Sequence, residues 1–249
     1  MPETNTAHQA QVRQFFGNTA VFLERNYVTA LRQEALDAWT SGIHFERVID
    51  IACGDGSLGL SLLPHSGHLT LLDLSPEMLE VASRSIPAQD TSRVELINAD
   101  LMEAELPEAG FDLVICTGML AHTPQPEQAF RKLASLCAPG GSLLLQNTND
   151  RHPYSCVVRA YGALRRIAGV RTYPLSRITA AELRHWAGMA GLKEIYSYRS
   201  IVSFMFLSRH LSGTAKGRIV RRIFGTPGNP RRQFLGNDEI ILFRKEPNG

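Results

Sequence analysis

The chain has 249 residues, 44% of them hydrophobic, and 26 Lys+Arg against 24 Asp+Glu, for a net charge of +2. That length suits one sizeable α/β domain with insertions and leaves no room for a second full domain. No apolar run approaches a membrane span, and the polar start MPETNTAHQAQ lacks the basic and apolar regions of a signal peptide, so a cytoplasmic location is expected.

Residues 8–40 read as helices, with Val12, Phe15, Phe16, Phe22, Leu23 and Tyr27 at mixed three and four spacing and Gly17-Asn18 as a break. From Arg47 short apolar runs alternate with helical patterns. Strands are expected near 47–51, 69–73, 94–98, 111–116 and 141–146, and helices near 57–63, 76–85 and 126–137. Such alternation implies βαβ units, a parallel sheet and right-handed crossovers, with ligands bound beyond the carboxyl ends of the strands. Ser75 before Pro76 and Glu77 is a helix start with Pro at the first helical position.

The stretch VIDIACGDGSLG, residues 48–59, is a strand, a tight turn and a helix start. Its glycines Gly54 and Gly56 allow backbone amides to approach a ligand closely, and the helix that follows aims unpaired N–H groups at the same spot. GDGSLG also matches the dinucleotide fingerprint G-x-G-x-x-G, which keeps a nicotinamide-dependent oxidoreductase among the readings. Three acids decide against it. Asp50 ends the first strand where it can meet a ligand ammonium and would repel a pyrophosphate. Asp73 ends the run LTLLD, where it can accept from two ribose hydroxyls, and Asp100 ends VELINAD. An amine, a ribose and an adenine together describe S-adenosylmethionine.

Over roughly residues 46–146 the chain resembles the class I S-adenosylmethionine-dependent methyltransferases, through DIACGDG, LLDLSPEML, NADL, FDLVICTGMLAH and APGGSLLL. The resemblance implies that Asp50 and Gly54 hold the methionine end of the cofactor, Asp73 the ribose, and Asp100 with Leu101 the adenine. It extends the cofactor set to Cys53, Gly56, Leu74, Cys116 and Thr117, and to Met78, which either packs near the adenine or faces the core. Ala52 departs from the family, where many members have the first glycine of the loop; a small residue still fits. The resemblance also implies a Rossmann-like, doubly wound, seven-stranded sheet whose last strand, DEIILFRKE, lies antiparallel between the fifth and sixth. Residues 1–249 then form one domain: a helical cap (1–45), a cofactor-binding core (46–149) and two insertions (150–178 and 200–236) that shape an acceptor pocket.

The cap contributes Phe16 and Tyr27, which either wall that pocket, as aromatic leaders do in similar enzymes, or simply pack between helices. After the fifth strand, NTNDRHPYSCVVRAYGALRRIAGVRTYPLSR interleaves aromatics with arginines and reads as a lid, with Tyr154, Arg165 and Arg166 as acceptor-binding candidates. Thr179 caps the helix AAELRHWAGMA, closed by Gly191, before a sixth strand LKEIYSYRS. Residues 200–236 form the second insertion, rich in Arg and Gly.

Charge divides unevenly: residues 1–149 hold 8 Lys+Arg and 18 Asp+Glu, a balance of −10, and residues 150–249 hold 18 and 6, a balance of +12. Either the second part faces something acidic, such as an anionic or carrier-bound substrate, or the two parts neutralise each other across the fold. His122, in ICTGMLAHT after the fourth strand, is the candidate general base, since imidazole titrates near ~6.5; its alternative role is a hydrogen bond to the loop backbone. The cysteines show no C-x-x-C pairing and H-E-x-x-H is absent, so no metal is expected.

Methyl transfer to a small, apolar, anionic acceptor is therefore the leading reading, with oxygen favoured over nitrogen or carbon. A tRNA-modifying enzyme is the alternative; an ordinary overall charge and no appended RNA-binding module weigh against a nucleic-acid partner. A non-catalytic cofactor-binding protein is a third, opposed by the intact acids and glycines.

Overall fold

The computed structural model describes residues 26–167, 175–204 and 210–247. Its centre is a seven-stranded sheet of β1 (Phe45–Ile51), β2 (Ser66–Asp73), β3 (Val94–Asn98), β4 (Phe111–Thr117), β5 (Cys137–Thr148), β6 (Leu192–Ser200) and β7 (Asp238–Lys245). The spatial order is β3-β2-β1-β4-β5-β7-β6. Strands β3, β2, β1, β4 and β5 pair in parallel, and β7 runs antiparallel to both β5 and β6. The expected seven-stranded topology is thus present, with the last strand between the fifth and sixth.

Alternation along the strands builds a core on each face, as the two-residue side-chain period requires. Val48, Leu69, Leu71, Leu113, Ile115, Leu144 and Tyr198 pack on one face. Ile49, Ile51, Leu72, Val114, Cys116, Leu143, Leu145 and Ile241 pack on the other. The first face is covered by α1 (Asn26–Thr40) and by a helix of the second insertion. The helices α2 (Ser57–Leu60) and α3 (Pro76–Arg84) follow β1 and β2. The second face takes α4 (Pro126–Leu136), which brings Phe130 and Leu133 into the core. The expected helix at 57–63 is shorter than its apolar run: α2 stops at Leu60 and a 3-10 turn, Leu63–His65, follows, with Pro64 inside it.

The first insertion holds α5 (Pro153–Ile167) and returns through residues 175–178, where Asn149 bridges Ile178. Next, α6 (Ala180–Met189) starts with a reciprocal cap: Glu182 N donates to Thr179 Oγ1 at 3.1 Å, and Thr179 N donates to the Glu182 carboxylate at 2.8 Å. The second insertion, expected only as an Arg- and Gly-rich excursion, contains a helix, α7 (Gly213–Phe224). Ser212 caps it through Ala215 N at 3.2 Å, and Val220 and Phe224 enter the core beside α1. A two-residue ribbon, Gly225–Thr226 with Asn229–Pro230, then leads to β7. Among the described residues no helix is long and apolar enough to cross a membrane.

Candidate active site

The carboxyl ends of β1, β2 and β4 meet around the glycine turn, and the turn is built from both sides by carboxylates. Asp50, 2% exposed, accepts from Gly59 N at 3.0 Å through Oδ2. Asp73 accepts from Gly54 N at 2.8 Å through Oδ2 and from Ser75 N at 2.9 Å through Oδ1. The turn is pinned again by Cys53 N donating to Leu72 O at 3.1 Å. Ala52, Gly54 and Gly56 all lie at positive φ, 55°, 58° and 72°. At Ala52 that geometry is strained, because a Cβ in the left-handed region crowds the neighbouring carbonyl. Most of the family motif survives with an alanine in a glycine's conformation.

Burial dominates the electrostatics. Desolvation, with smaller contributions from Asp73 and Asp55, pushes the Asp50 carboxyl up to about 7 against the pull of Gly59 N–H and of Arg32. Desolvation also raises Asp73, opposed by the backbone bonds from Ser75, Gly54 and Leu74. Such a site holds two acids that a cationic ligand group would stabilise in their charged forms.

The other expected cofactor residues spread along the same edge. Leu74 is half-buried directly after Asp73, and Met78 is buried in the first turn of α3, whose Ser75 cap accepts from Met78 N at 3.3 Å. Asp100 is half-buried and turns its own loop by accepting from Met102 N at 2.8 Å, which leaves Leu101 buried beneath it. Thr117 ends β4 half-buried. The thiols of Cys116 and Cys53 are buried in the apolar clusters and pushed up by desolvation, Cys116 to about 12.

His122 closes a 3-10 turn, Leu120–His122, just past β4. The returning segment of the first insertion is fastened to that turn: Ser176 N donates to Ala121 O at 2.8 Å and Ser176 Oγ to Thr123 O at 2.5 Å. Tyr27 and Tyr154 converge on the segment after β6. Tyr27 Oη donates to Val202 O at 2.6 Å and Tyr154 Oη to Ser203 O at 2.5 Å. Tyr27 is 6% exposed and edges Phe204 at 5.9 Å, so the packing alternative describes its ring. Arg166 is exposed near the end of α5. Phe16 and the side chain of Arg165 lie outside the described residues. Among the described residues no three His, Cys, Asp or Glu side chains are grouped to hold a metal ion.

One part of the edge was missed from sequence. Arg32 on α1 reaches across the sheet ends: its Nε donates to Gln146 Oε1 at 2.6 Å, and an added Cβ on Gly118 would stand 3.2 Å from its Nη2. Gln146 interrupts the apolar run LLLQN of β5, the one local signal that a polar group was wanted there.

A family model described as "Methyltransferase domain" matches residues 48–141. A ubiquinone biosynthesis O-methyltransferase of Xanthomonas euvesicatoria pv. vesicatoria is 36% identical over 153 residues, 59% of this chain, and the match spans only 62% of that relative's length. The enzyme of the same name from Aromatoleum aromaticum is 30% identical over 72% of this chain and 77% of its own. The N-methyltransferase NodS of Bradyrhizobium japonicum, solved with S-adenosyl-L-homocysteine, superposes with a TM-score of 0.57 at 16% identity, over 88% of this chain and 87% of NodS, a likeness of fold. With the glycine turn held between Asp50 and Asp73 at the carboxyl edge of such a sheet, the chain belongs to the class I S-adenosylmethionine-dependent methyltransferases.

Proposed function

We propose that the chain transfers the methyl group of S-adenosylmethionine to an oxygen of a small, apolar acceptor carrying an anionic group. The observation that carries this is the pair of acids that brace the turn, the buried Asp50 bound to Gly59 N of α2 and the half-buried Asp73 bound to Gly54 N, with Arg32 reaching the same edge. An amino-acid zwitterion needs both signs close together, and Arg32 is the cation whose field acts on Asp50. In this reading Arg32 receives the cofactor carboxylate, Asp50 faces the ammonium with Ala52, Cys53, Gly54 and Gly56 supplying backbone, and Asp73 with Leu74 binds the ribose. Met78, Asp100 and Leu101 enclose the adenine, and Cys116 and Thr117 border the sulfur.

When bound, the cofactor supplies an electrophilic methyl on a sulfonium, open to in-line displacement. The chain's part is chiefly positioning, which can contribute ~7 kcal/mol or more. His122 takes the acceptor's hydroxyl proton, a role suited to its place past β4 on a turn fastened by Ser176. Tyr27 and Tyr154 shape the acceptor side by holding Val202 and Ser203, and Arg166, exposed on α5, is a candidate for meeting the acceptor. Oxygen as the methylated atom is supported by relatives named ubiquinone biosynthesis O-methyltransferase. An anionic handle is supported by the +12 balance of residues 150–249.

The test is direct: incubate the protein with S-adenosylmethionine and a panel of phenols, carboxylated phenols, amines and tRNA, and follow methyl incorporation by mass spectrometry. Methyl ethers formed on carboxylated phenols are expected. Transfer confined to amines or tRNA would overturn the acceptor class.

A further inference from the structure

Asp238 opens β7 at the carboxyl edge of the sheet, opposite Thr148 of β5 and Ser200 of β6. It is 3% exposed, an ionisable group at the start of a strand whose next residue, Glu239, is also buried. Both carboxylate oxygens are used: Oδ1 accepts from Thr148 Oγ1 at 2.9 Å, and Oδ2 accepts from Gln146 Nε2 at 2.5 Å. Gln146, 6% exposed, is thereby oriented. Its NH2 must face the carboxylate, so its carbonyl must face Arg32, and Arg32 Nε donates to that carbonyl at 2.6 Å. The result is a buried anion and a half-buried cation joined through one amide that can be read in only one direction.

A carboxylate that only sealed β7 against β5 would be served by the Thr148 hydroxyl. The second arm of the network leads elsewhere, to a guanidinium lying against the backbone of Gly118, which takes φ 89° directly after β4. An added Cβ there would stand 3.2 Å from Nη2, so the guanidinium occupies the space beside the turn where β4 ends. A flexible arginine held by an oriented acceptor loses less entropy when it meets a ligand, because its rotamer is already chosen.

We infer that Asp238 is a positioning residue for cofactor binding, which through Gln146 fixes the Arg32 guanidinium over the Gly118 turn. This rests on the reading of Arg32 as the group that receives the cofactor carboxylate. A site assembled this way draws on three distant parts of the chain, α1, β5 and β7, so the last strand of the sheet takes part in holding a ligand bound mainly by the first two.

The network suggests its own swap. In Asp238→Asn the side chain keeps its shape and one acceptor but loses the charge. Adding Gln146→Glu returns one negative charge to the chain of bonds with every donor matched: Arg32 to the new carboxylate, the new Asn amide to the same carboxylate, and Thr148 to the Asn carbonyl. Dissociation constants for S-adenosylhomocysteine would be measured by calorimetry on five proteins, wild type, D238N, D238N/Q146E, T148V and R32Q, with thermal denaturation as the check on folding and KM for cofactor and acceptor measured alongside. D238N is expected to weaken binding about tenfold and raise the cofactor's KM more than the acceptor's, and D238N/Q146E to recover to within about threefold of wild type. T148V is expected to lower the melting temperature and leave binding unchanged. A T148V loss of affinity equal to that of D238N would make the carboxylate purely structural. A folded D238N binding like wild type, or a double variant no better than D238N, would overturn the relay. If R32Q binds as tightly as wild type, the reading of Arg32 itself fails; if R32Q is weak and D238N is not, only the relay fails.

Discussion

Replacing Asp50 with Asn should make the ligand-free protein more stable and the cofactor complex weaker, two effects of one charge. Asp50 is 2% exposed and its carboxyl is pushed up from 3.8 to about 7, chiefly by desolvation. For an acid whose folded pKa lies above its unfolded one, the folded state binds more protons in the interval between them. The contribution to stability is therefore full below the unfolded value and is lost as pH rises through about 7. Roughly three pK units correspond to about 4 kcal/mol at pH 8. Asn removes that charge and still accepts from Gly59 N with its carbonyl. The melting temperature of D50N without ligand should exceed that of wild type at pH 8, by ~2–4 °C per kcal/mol gained for a chain of this size, and the gap should close towards pH 4. Losing a charge-assisted contact to the cofactor ammonium should cost ~1.5–3 kcal/mol, or about tenfold to a hundredfold in affinity for S-adenosylhomocysteine. Scanning fluorimetry from pH 4 to 8.5, with and without S-adenosylhomocysteine, reads both. A lower melting temperature for ligand-free D50N at pH 8, or unchanged affinity, would refute the reasoning.

Gly59→Ala would put a Cβ 2.9 Å from Leu71 Cδ2 and 3.0 Å from Asp50 Oδ2, so it should destabilise by ~1–3 kcal/mol in urea unfolding; a neutral result would mean that the approach is not close. Ala52→Gly should stabilise by about 1 kcal/mol, because φ 55° is left-handed, and loss of stability would show that the alanine methyl contributes packing instead. His122→Ala should lower turnover by ~10²-fold or more with cofactor affinity within about twofold, checked under conditions where chemistry limits the rate. Unaltered turnover would leave His122 as a residue of the turn alone.

The central strands β1, β2, β4 and β5 were legible because each holds a β-branched or leucine run ending in a polar residue, as strands buried on both faces of a parallel sheet demand. Ser75-Pro76 and Thr179 marked helix starts because capping is local chemistry, complete within four residues. The helix α7 was not read, because Arg218, Arg221 and Arg222 break up Ile219, Val220, Ile223 and Phe224, and only packing against α1 shows which face is apolar. The aromatic residues of the cap region could be noticed but not assigned. Tyr27 finds its acceptor at Val202, 175 residues away, and no spacing rule covers that distance. The same holds for Arg32, Gln146 and Asp238: each reads singly as a helix arginine, a polar break in a strand and a strand-opening acid. Asp50 was placed at the ligand edge by position alone; that it also anchors the start of α2 follows from Gly59, whose missing side chain makes room for the carboxylate.

Which of the two accounts of the charge split holds can be argued from the ion pairs. Arg221 with Glu34 joins the basic second part to the acidic first part. The others stay within one part: Arg159 with Asp150, and Arg184 and Arg199 with Glu239 and Glu194 in the second, and Arg84, Arg93 and Arg131 with near neighbours in the first. Ion pairing among these side chains is therefore mostly local. It also narrows the candidates for anion recognition, because Arg159 and Arg221 already hold carboxylates. Part of the surplus lies in exposed side chains such as Arg218 and Arg222, one turn apart on α7, and Arg231 and Arg232 after the ribbon. Charges so exposed act through their summed field more than through single contacts, which would raise the encounter rate with any anionic ligand at low ionic strength and fade as the screening length falls below ~10 Å near 0.1 M salt. For the anionic acceptor proposed above, the basic surface should set how fast the acceptor arrives, and contacts made at the sheet edge should set which acceptor is taken.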